Sequence, residues 1–327
     1  MALITYREAL NQALREEMAR DPTIFLMGED VGRYQGAFKV SQGLLAEFGE
    51  QRVVDTPISE AAFAGLGIGA AMAGLRPVIE MMTWNFAVLA MDQIVNNAAK
   101  IRFMSSGQFR CPVVFRGPQG AGHQLSSQHS QVLEMHYAAV PGLVVIAAGL
   151  PRDAKGLLKS ALRADDPVIF FESERLYPVK GEVPEGEYTV PIGEAAVARD
   201  GEDATVVCWG RMIYPAQEGA ALLDGEGLQV EIVDLRTLRP WDRVRVFESV
   251  RKTHRCVIVE EGWPQGGMGA SVADAIQREC FDDLDAPVER VHGVDAPMSY
   301  NKRHEQLALP DGPKVAQAVR AVCYRES

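Results

Sequence analysis

Glu60 is the one charged side chain in a run that continues Ala61-Ala62-Phe63-Ala64-Gly65-Leu66-Gly67-Ile68-Gly69-Ala70-Ala71-Met72-Ala73-Gly74. A carboxylate at that point falls in the first turn of a helix, where the dipole favours negative charge, with Ser59 as the expected N-cap. Two readings stand side by side. One is a glutamate that merely matches the dipole; the other is a catalytic carboxyl whose burial and partners set its ionisation. The rest of the helix has no polar face, which predicts burial all round, against a second subunit. Gly65, Gly67 and Gly69 do not make a dinucleotide fingerprint, which needs its first glycine in the turn directly after a strand. Here Pro57 and several helix formers lie between Val54 and Gly65.

The stretch Arg116-Gly117-Pro118-Gln119-Gly120-Ala121-Gly122-His123-Gln124-Leu125-Ser126-Ser127-Gln128-His129-Ser130-Gln131 is polar, glycine-rich and carries two histidines. It follows an expected strand at 112–115, and long loops at such a position tend to be functional. Two histidines in one loop favour a role for at least one of them, although no acid or thiol lies close enough in sequence to support a metal pair. Thr83-Trp84-Asn85-Phe86 follows a strand expected at 77–82, at the edge where open α/β sheets bind ligands, and Phe86 is a candidate to stack on a cofactor. A helix at 153–163 stops at Ala164-Asp165-Asp166-Pro167, where free carbonyls and acids make either a cation corner or a solvated turn. Residues 257–269 read as strand, glycine-rich turn and helix, a geometry that can hold an anion, without the lysine of a P-loop.

The elements that must position these groups alternate. A helix is expected at 6–20 and strands at 24–27, 52–55, 76–82, 112–116, 143–147 and 168–172, with an amide-rich interface helix at 91–103. Strands separated by helices predict an α/β fold with a mostly parallel sheet covered on both faces. Prolines and glycines across 177–193 mark a linker, which divides the chain into a domain at 1–178, a linker at 179–193 and a smaller α/β domain at 194–327. In that second domain strands are expected at 204–209, 229–234 and 255–260, with helices at 215–223 and 270–280.

The 327 residues, 47% hydrophobic and 24% charged, suit a globular protein with a sizeable core. A net charge of −11 argues against a nucleic-acid partner, whose phosphates call for clustered basic residues. No apolar run is long enough to span a membrane, and the first ten residues lack a secretion signal. Five scattered cysteines read as reduced thiols of a cytoplasmic protein.

Taken in order, Gly28-Glu29-Asp30-Val31-Gly32, Tyr34-Gln35-Gly36-Ala37-Phe38-Lys39, the run from Asp55 to Glu60 with Phe63-Ala64-Gly65, and Arg116-Gly117-Pro118 leading to Gln128-His129-Ser130-Gln131 resemble the E1 β subunits of pyruvate dehydrogenase and its branched-chain relatives. That resemblance implies a pyrimidine-binding domain, a transketolase-type C-terminal domain and pairing with an E1 α subunit as an α2β2 heterotetramer. It implies thiamine diphosphate with Mg2+ as cofactor. The Gly-Asp-Gly motif that holds the diphosphate and metal is absent from this chain, which leaves that half to the α subunit.

By position, Glu60 matches the acid on the aminopyrimidine N1′, Glu29 an acid near it, Ile58 a residue beside the ring, Phe86 the aromatic on the ring and His129 the loop histidine acting on intermediates or lipoyl sulfur. His123 has a counterpart in only some relatives. Val113, Ala161, Leu162, Ala164 and Asp166 match the potassium corner of some members, although Ala164 departs from an acid found there in others. The implied activity is oxidative decarboxylation of a 2-oxo acid, pyruvate ahead of branched-chain acids or acetoin, with acyl transfer to the lipoyl group of an E2 dihydrolipoyl acyltransferase, for which the acidic stretch 282–289 is the expected contact. A catalytically silent scaffold subunit is the alternative from another class, opposed by the retained Glu60, Phe86 and His129.

Overall fold

The computed structural model describes residues 1–325. Thr5 forms a reciprocal capping box with Glu8 and so starts the helix Tyr6–Arg20, which buries Ala9, Leu10, Ala13, Leu14 and Met18 along one stripe. Ile24–Gly28 follows and becomes an interior strand, next to one edge, of a seven-stranded sheet. Across that sheet the order is Thr237–Arg239, Val144–Ala147, Val168–Ser173, Val114–Gln119, Arg76–Glu80, Ile24–Gly28, Val53–Asp55, parallel throughout except for the first strand. A second sheet runs Glu289–Val291, Cys256–Val259, Ala204–Cys208, Val230–Asp234, Ala196–Arg199, with only the last strand antiparallel. Helices cover both sheets, so the α/β reading holds, and the apolar strand interiors are buried on both faces.

Four local readings need correction. Lys180–Val183, inside the expected linker, is a strand paired antiparallel with Ala2–Thr5. The segment taken as one helix at 91–103 is broken into a π-helical turn at Gln93–Ala98, a turn at 99–100 and the short helix Ile101–Met104. Ser59 stands at the N-cap position without a side-chain bond to the helix. The strand expected at 112–116 runs instead over Val114–Gln119 and is buried along its length, so Arg116-Gly117-Pro118-Gln119 is strand and not loop. Its Arg116 side chain lies between Glu80 and Glu172, with its Nε donating to Glu172 Oε1 at 2.5 Å. Gly117 tolerates no side chain, because a Cβ there would come within 2.1 Å of the Met81 carbonyl oxygen.

The second half of the chain is stitched to the first. Its strand Thr237–Arg239 completes the first sheet beside Val144–Ala147, and Arg236 Nη1 donates to Asp153 Oδ1 at 3.1 Å. Among the described residues no helix is long and apolar enough to cross a membrane.

Candidate active site

Gly28 pairs in register with both Asp55 and Glu80, so three strands end side by side. The chain leaving each of them enters the same corner: Glu29 after the first, Ile58 to Glu60 after the second, Thr83 to Phe86 after the third. This is the carboxyl edge of a parallel sheet, where ligands of open α/β folds sit. Asp55 folds the loop after Gly28 back on itself, accepting from Gly32 N at 2.6 Å and Arg33 N at 2.9 Å. A Cβ on Gly32 would stand 2.9 Å from that carboxylate, which is why a glycine occupies the position.

Glu60 opens the helix Glu60–Met72 and is only 9% exposed. Glu29 is buried too, and its Oε1 has no hydrogen-bond partner among the described residues. Burial, then the charges of Glu60 and Asp30, raise the Glu29 pKa above the usual carboxyl value. Against this acid pair the chain leaves apolar surface uncovered: Ile58 is 81% exposed and Phe86 37%. The His129 ring meets Phe86 edge-on, with centroids 5.2 Å apart. The structure therefore brings Glu29, Ile58, Glu60, Phe86 and His129 to one edge, with His123 exposed on the same loop. A flat, nitrogen-bearing ring fits that set, since the buried carboxyls match a polar ring edge and the two apolar side chains match its faces.

The loop that carries His129 is fastened at both limbs. Gly120 N donates to Gln131 O at 2.9 Å and Gln131 N to Asn85 Oδ1 at 2.9 Å, while Asn85 Nδ2 donates to Thr83 Oγ1 at 2.6 Å. Asn85 thus ties the Phe86 segment to the histidine loop. The other limb meets the C-terminal domain through Ala121 N on Glu261 Oε1 at 2.7 Å and Gln124 N on Glu305 Oε2 at 2.9 Å. The sequence reading missed Asn85, Glu261 and Glu305. Only Asn85 had a local signal, its place two residues after an N-cap threonine.

The potassium corner does not take shape as an open cage. Val113 O accepts from Val168 N at 2.9 Å and Ala161 O from Ala164 N at 3.2 Å. Arg76 Nη1 donates to Leu162 O at 3.2 Å and Ala164 O at 2.8 Å, and Asp166 is paired with Arg102. A guanidinium fills the corner, and its residues do not fit a bound ion. The glycine turn after Cys256–Val259 is filled from within as well, for Glu260 Oε2 accepts from Gly269 N at 2.9 Å and its Oε1 from Arg290 at 2.6 Å. Among the described residues no group of three or more His, Cys, Asp or Glu is placed to hold a metal ion.

Behind the loop, burial pushes the Glu134 carboxyl up to about 8, against the opposing pull of the Trp209 and Gln119 donors. A folded-state value above the unfolded one, roughly 4.3, means a stabilising contribution that is complete below about pH 4.3 and lost as pH rises through about 8. Asp234, also pushed to about 8 by burial and then by Asp153, acts in the same window. Urea midpoints are therefore expected to fall between pH 5 and 9, by less in Glu134→Gln than in the wild type; equal slopes would refute the assignment.

Comparison with known proteins agrees with this fold. The family model described as transketolase, pyrimidine binding domain matches residues 2–180, and that described as transketolase, C-terminal domain matches residues 193–315. The pyruvate dehydrogenase E1 component subunit beta of Rhizobium meliloti (strain 1021) is 52% identical over 99% of this chain and 71% of its own length. The protein of the same name from Rickettsia felis is 50% identical over 98% of each chain. A solved structure described as a split gene transketolase, inactive beta4 tetramer, superposes over 100% of both chains with a TM-score of 0.82 at 23% identity, which speaks for the fold.

Proposed function

This chain belongs to the family of pyruvate dehydrogenase E1-component β subunits, built of transketolase-type pyrimidine-binding and C-terminal domains, and we propose that it works with an α subunit in an α2β2 assembly to decarboxylate pyruvate oxidatively. The acetyl group passes to the lipoyl group of an E2 acyltransferase. The observation that carries the reading is the buried acid pair, Glu60 with the unpartnered Glu29 oxygen, beside the uncovered faces of Ile58 and Phe86.

Thiamine diphosphate, when bound, supplies the nucleophilic carbon and the electron sink for loss of carbon dioxide. Glu60 holds a proton at the ring nitrogen N1′ and so tunes the basicity of the amino group across the ring. Glu29, its pKa raised by burial and then by the charge of Glu60, sits beside it. Ile58 and Phe86, with their uncovered apolar surface, would cover the ring and keep water from it. His129, edge-on to Phe86, stands where it can carry a proton for the acyl transfer. The diphosphate and its Mg2+ are assigned to the α subunit, whose half of the site this sequence lacks. Ala61, Ala62, Leu66 and Gly69, with Ala73 at the C-cap, give the helix Glu60–Met72 an exposed apolar face that a second chain covers. The E2 contact is assigned to the acidic stretch 282–289, and the setting to the cytoplasm.

Co-expression with a candidate α subunit tests the reading. The pair is expected to release carbon dioxide from pyruvate only with thiamine diphosphate and Mg2+, faster than from branched-chain 2-oxo acids, while the isolated chain binds the cofactor weakly and does not turn over. Full turnover by the chain alone, or none by the pair, would sink it.

A further inference from the structure

The helix Lys302–Ala308 lies on the surface of the C-terminal domain with Lys302, Arg303, His304, Gln306 and Leu307 all exposed. Its one buried side chain is an acid, Glu305, at 2% exposure. Acids are rarely buried unless paired, and a surface helix ordinarily turns an apolar residue inward. What Glu305 reaches is the histidine loop. Its Oε2 accepts from Gln124 N at 2.9 Å, and its Oε1 pairs with Arg175, whose Nε donates to Gly122 O at 2.7 Å.

The loop needs such a hold. Gln124 and Ser126 adopt φ values of 63° and 67°, left-handed conformations that cost free energy in residues with a side chain and persist only where the surroundings impose them. Gly122 lies so close to Glu174 that a Cβ would come within 2.5 Å of its Oε2, so the loop is seated on the first domain at the point where Glu305 clamps it. Three residues past this strained turn stands His129, against Phe86.

We propose that Glu305 is a positioning residue: through Gln124 and Arg175 it fixes the loop so that His129 meets the acyl group and the lipoyl sulfur. This rests on the functional reading given above. Glu305 acts through Gln124 and Arg175, so its loss should spare the steps before transfer.

The test uses the complex with the α subunit and two assays, pyruvate decarboxylation with ferricyanide as acceptor and acetyl transfer to a free lipoyl domain. Misplacement of a reacting group by about 1 Å costs on the order of 100-fold, so Glu305→Ala is expected to slow lipoyl acetylation by about 10- to 100-fold while ferricyanide-linked turnover and the KM for pyruvate change less than about threefold. Glu305→Gln, which keeps an oxygen for Gln124 N, is expected to fall between wild type and alanine. If Glu305 acts through His129, adding Glu305→Ala to His129→Ala costs nothing further; additive losses, or equal losses in both assays, overturn the proposal. Amide exchange over residues 120–133 is expected to speed up in Glu305→Ala, and unchanged exchange also overturns the proposal, whatever the activity. A wild-type complex inert toward pyruvate would instead strike at the functional reading, and the exchange result would still judge the clamp.

Discussion

Glu60→Gln is expected to leave a complex that folds and assembles normally and turns pyruvate over about 100- to 10,000-fold more slowly, the range that positioned acid-base groups contribute. The amide has nearly the volume of the carboxyl, and Glu60 stands at a helix start where no charge partner depends on it for packing. What changes is the proton. A carboxyl exchanges one with a ring nitrogen, whereas an amide of fixed protonation donates or accepts without transfer. Burial matters here, since at 9% exposure bulk water cannot stand in for the missing acid. Excess thiamine diphosphate should not restore the rate, because the defect lies in activation and not in affinity. Steady-state kinetics at saturating cofactor, alongside a thermal midpoint matching wild type, would check this. A rate within threefold of wild type would remove Glu60 from the chemistry and return it to the simpler role of matching the helix dipole.

What could be read from the residues follows from how local each cause is. The helix Tyr6–Arg20 and the strand cores announce themselves because their apolar periods and turn residues lie within one short window. Lys180–Val183 did not, since its partner Ala2–Thr5 is at the other end of the domain and nothing in 177–193 records that pairing. Thr237–Arg239 went unseen for the same reason, being a strand only because the first sheet offers Val144–Ala147 as an edge. Arg116 misled in the opposite direction. An arginine beside Gly117-Pro118 looks like the start of a loop, and only Glu80 and Glu172 on flanking strands make it an interior residue. For the candidate site, strand ends and loop composition single out Glu60, Phe86 and His129, which the structure places at one edge, whereas nothing local singles out Glu305, its partner Gln124 lying 181 residues away.

Arg116→Met is expected to cost about 3–5 kcal/mol, the penalty typical of breaking a buried ion pair by removing one partner. Arg116 is 1% exposed, and the two acids it bridges, Glu80 and Glu172, are 4% and 3% exposed. Tyr177 Oη donates to Glu172 Oε2 at 2.8 Å, but among the described residues no other cation is placed to balance two carboxylates once the guanidinium is gone. Burial already raises the Glu80 pKa with Arg116 lowering it and Glu172 raising it; without Arg116 the rise is larger. A carboxyl raised in the folded state stabilises below its unfolded value, roughly 4.3, and that stability is lost as pH rises. The deficit of the variant should therefore be smallest near pH 4.5 and widen toward pH 8, which urea denaturation at several pH values would show; a deficit independent of pH would point to lost packing alone. Arg116→Met combined with Glu80→Leu and Glu172→Leu should recover much of the loss, because a well-filled apolar centre can equal a buried ion network. Activity should not recover with it. Glu80 leads directly into the segment holding Asn85 and Phe86, and Arg116 stands on the strand that delivers the His129 loop, so the triad that holds these strands in register also sets the spacing of the ring-binding and histidine halves of the site.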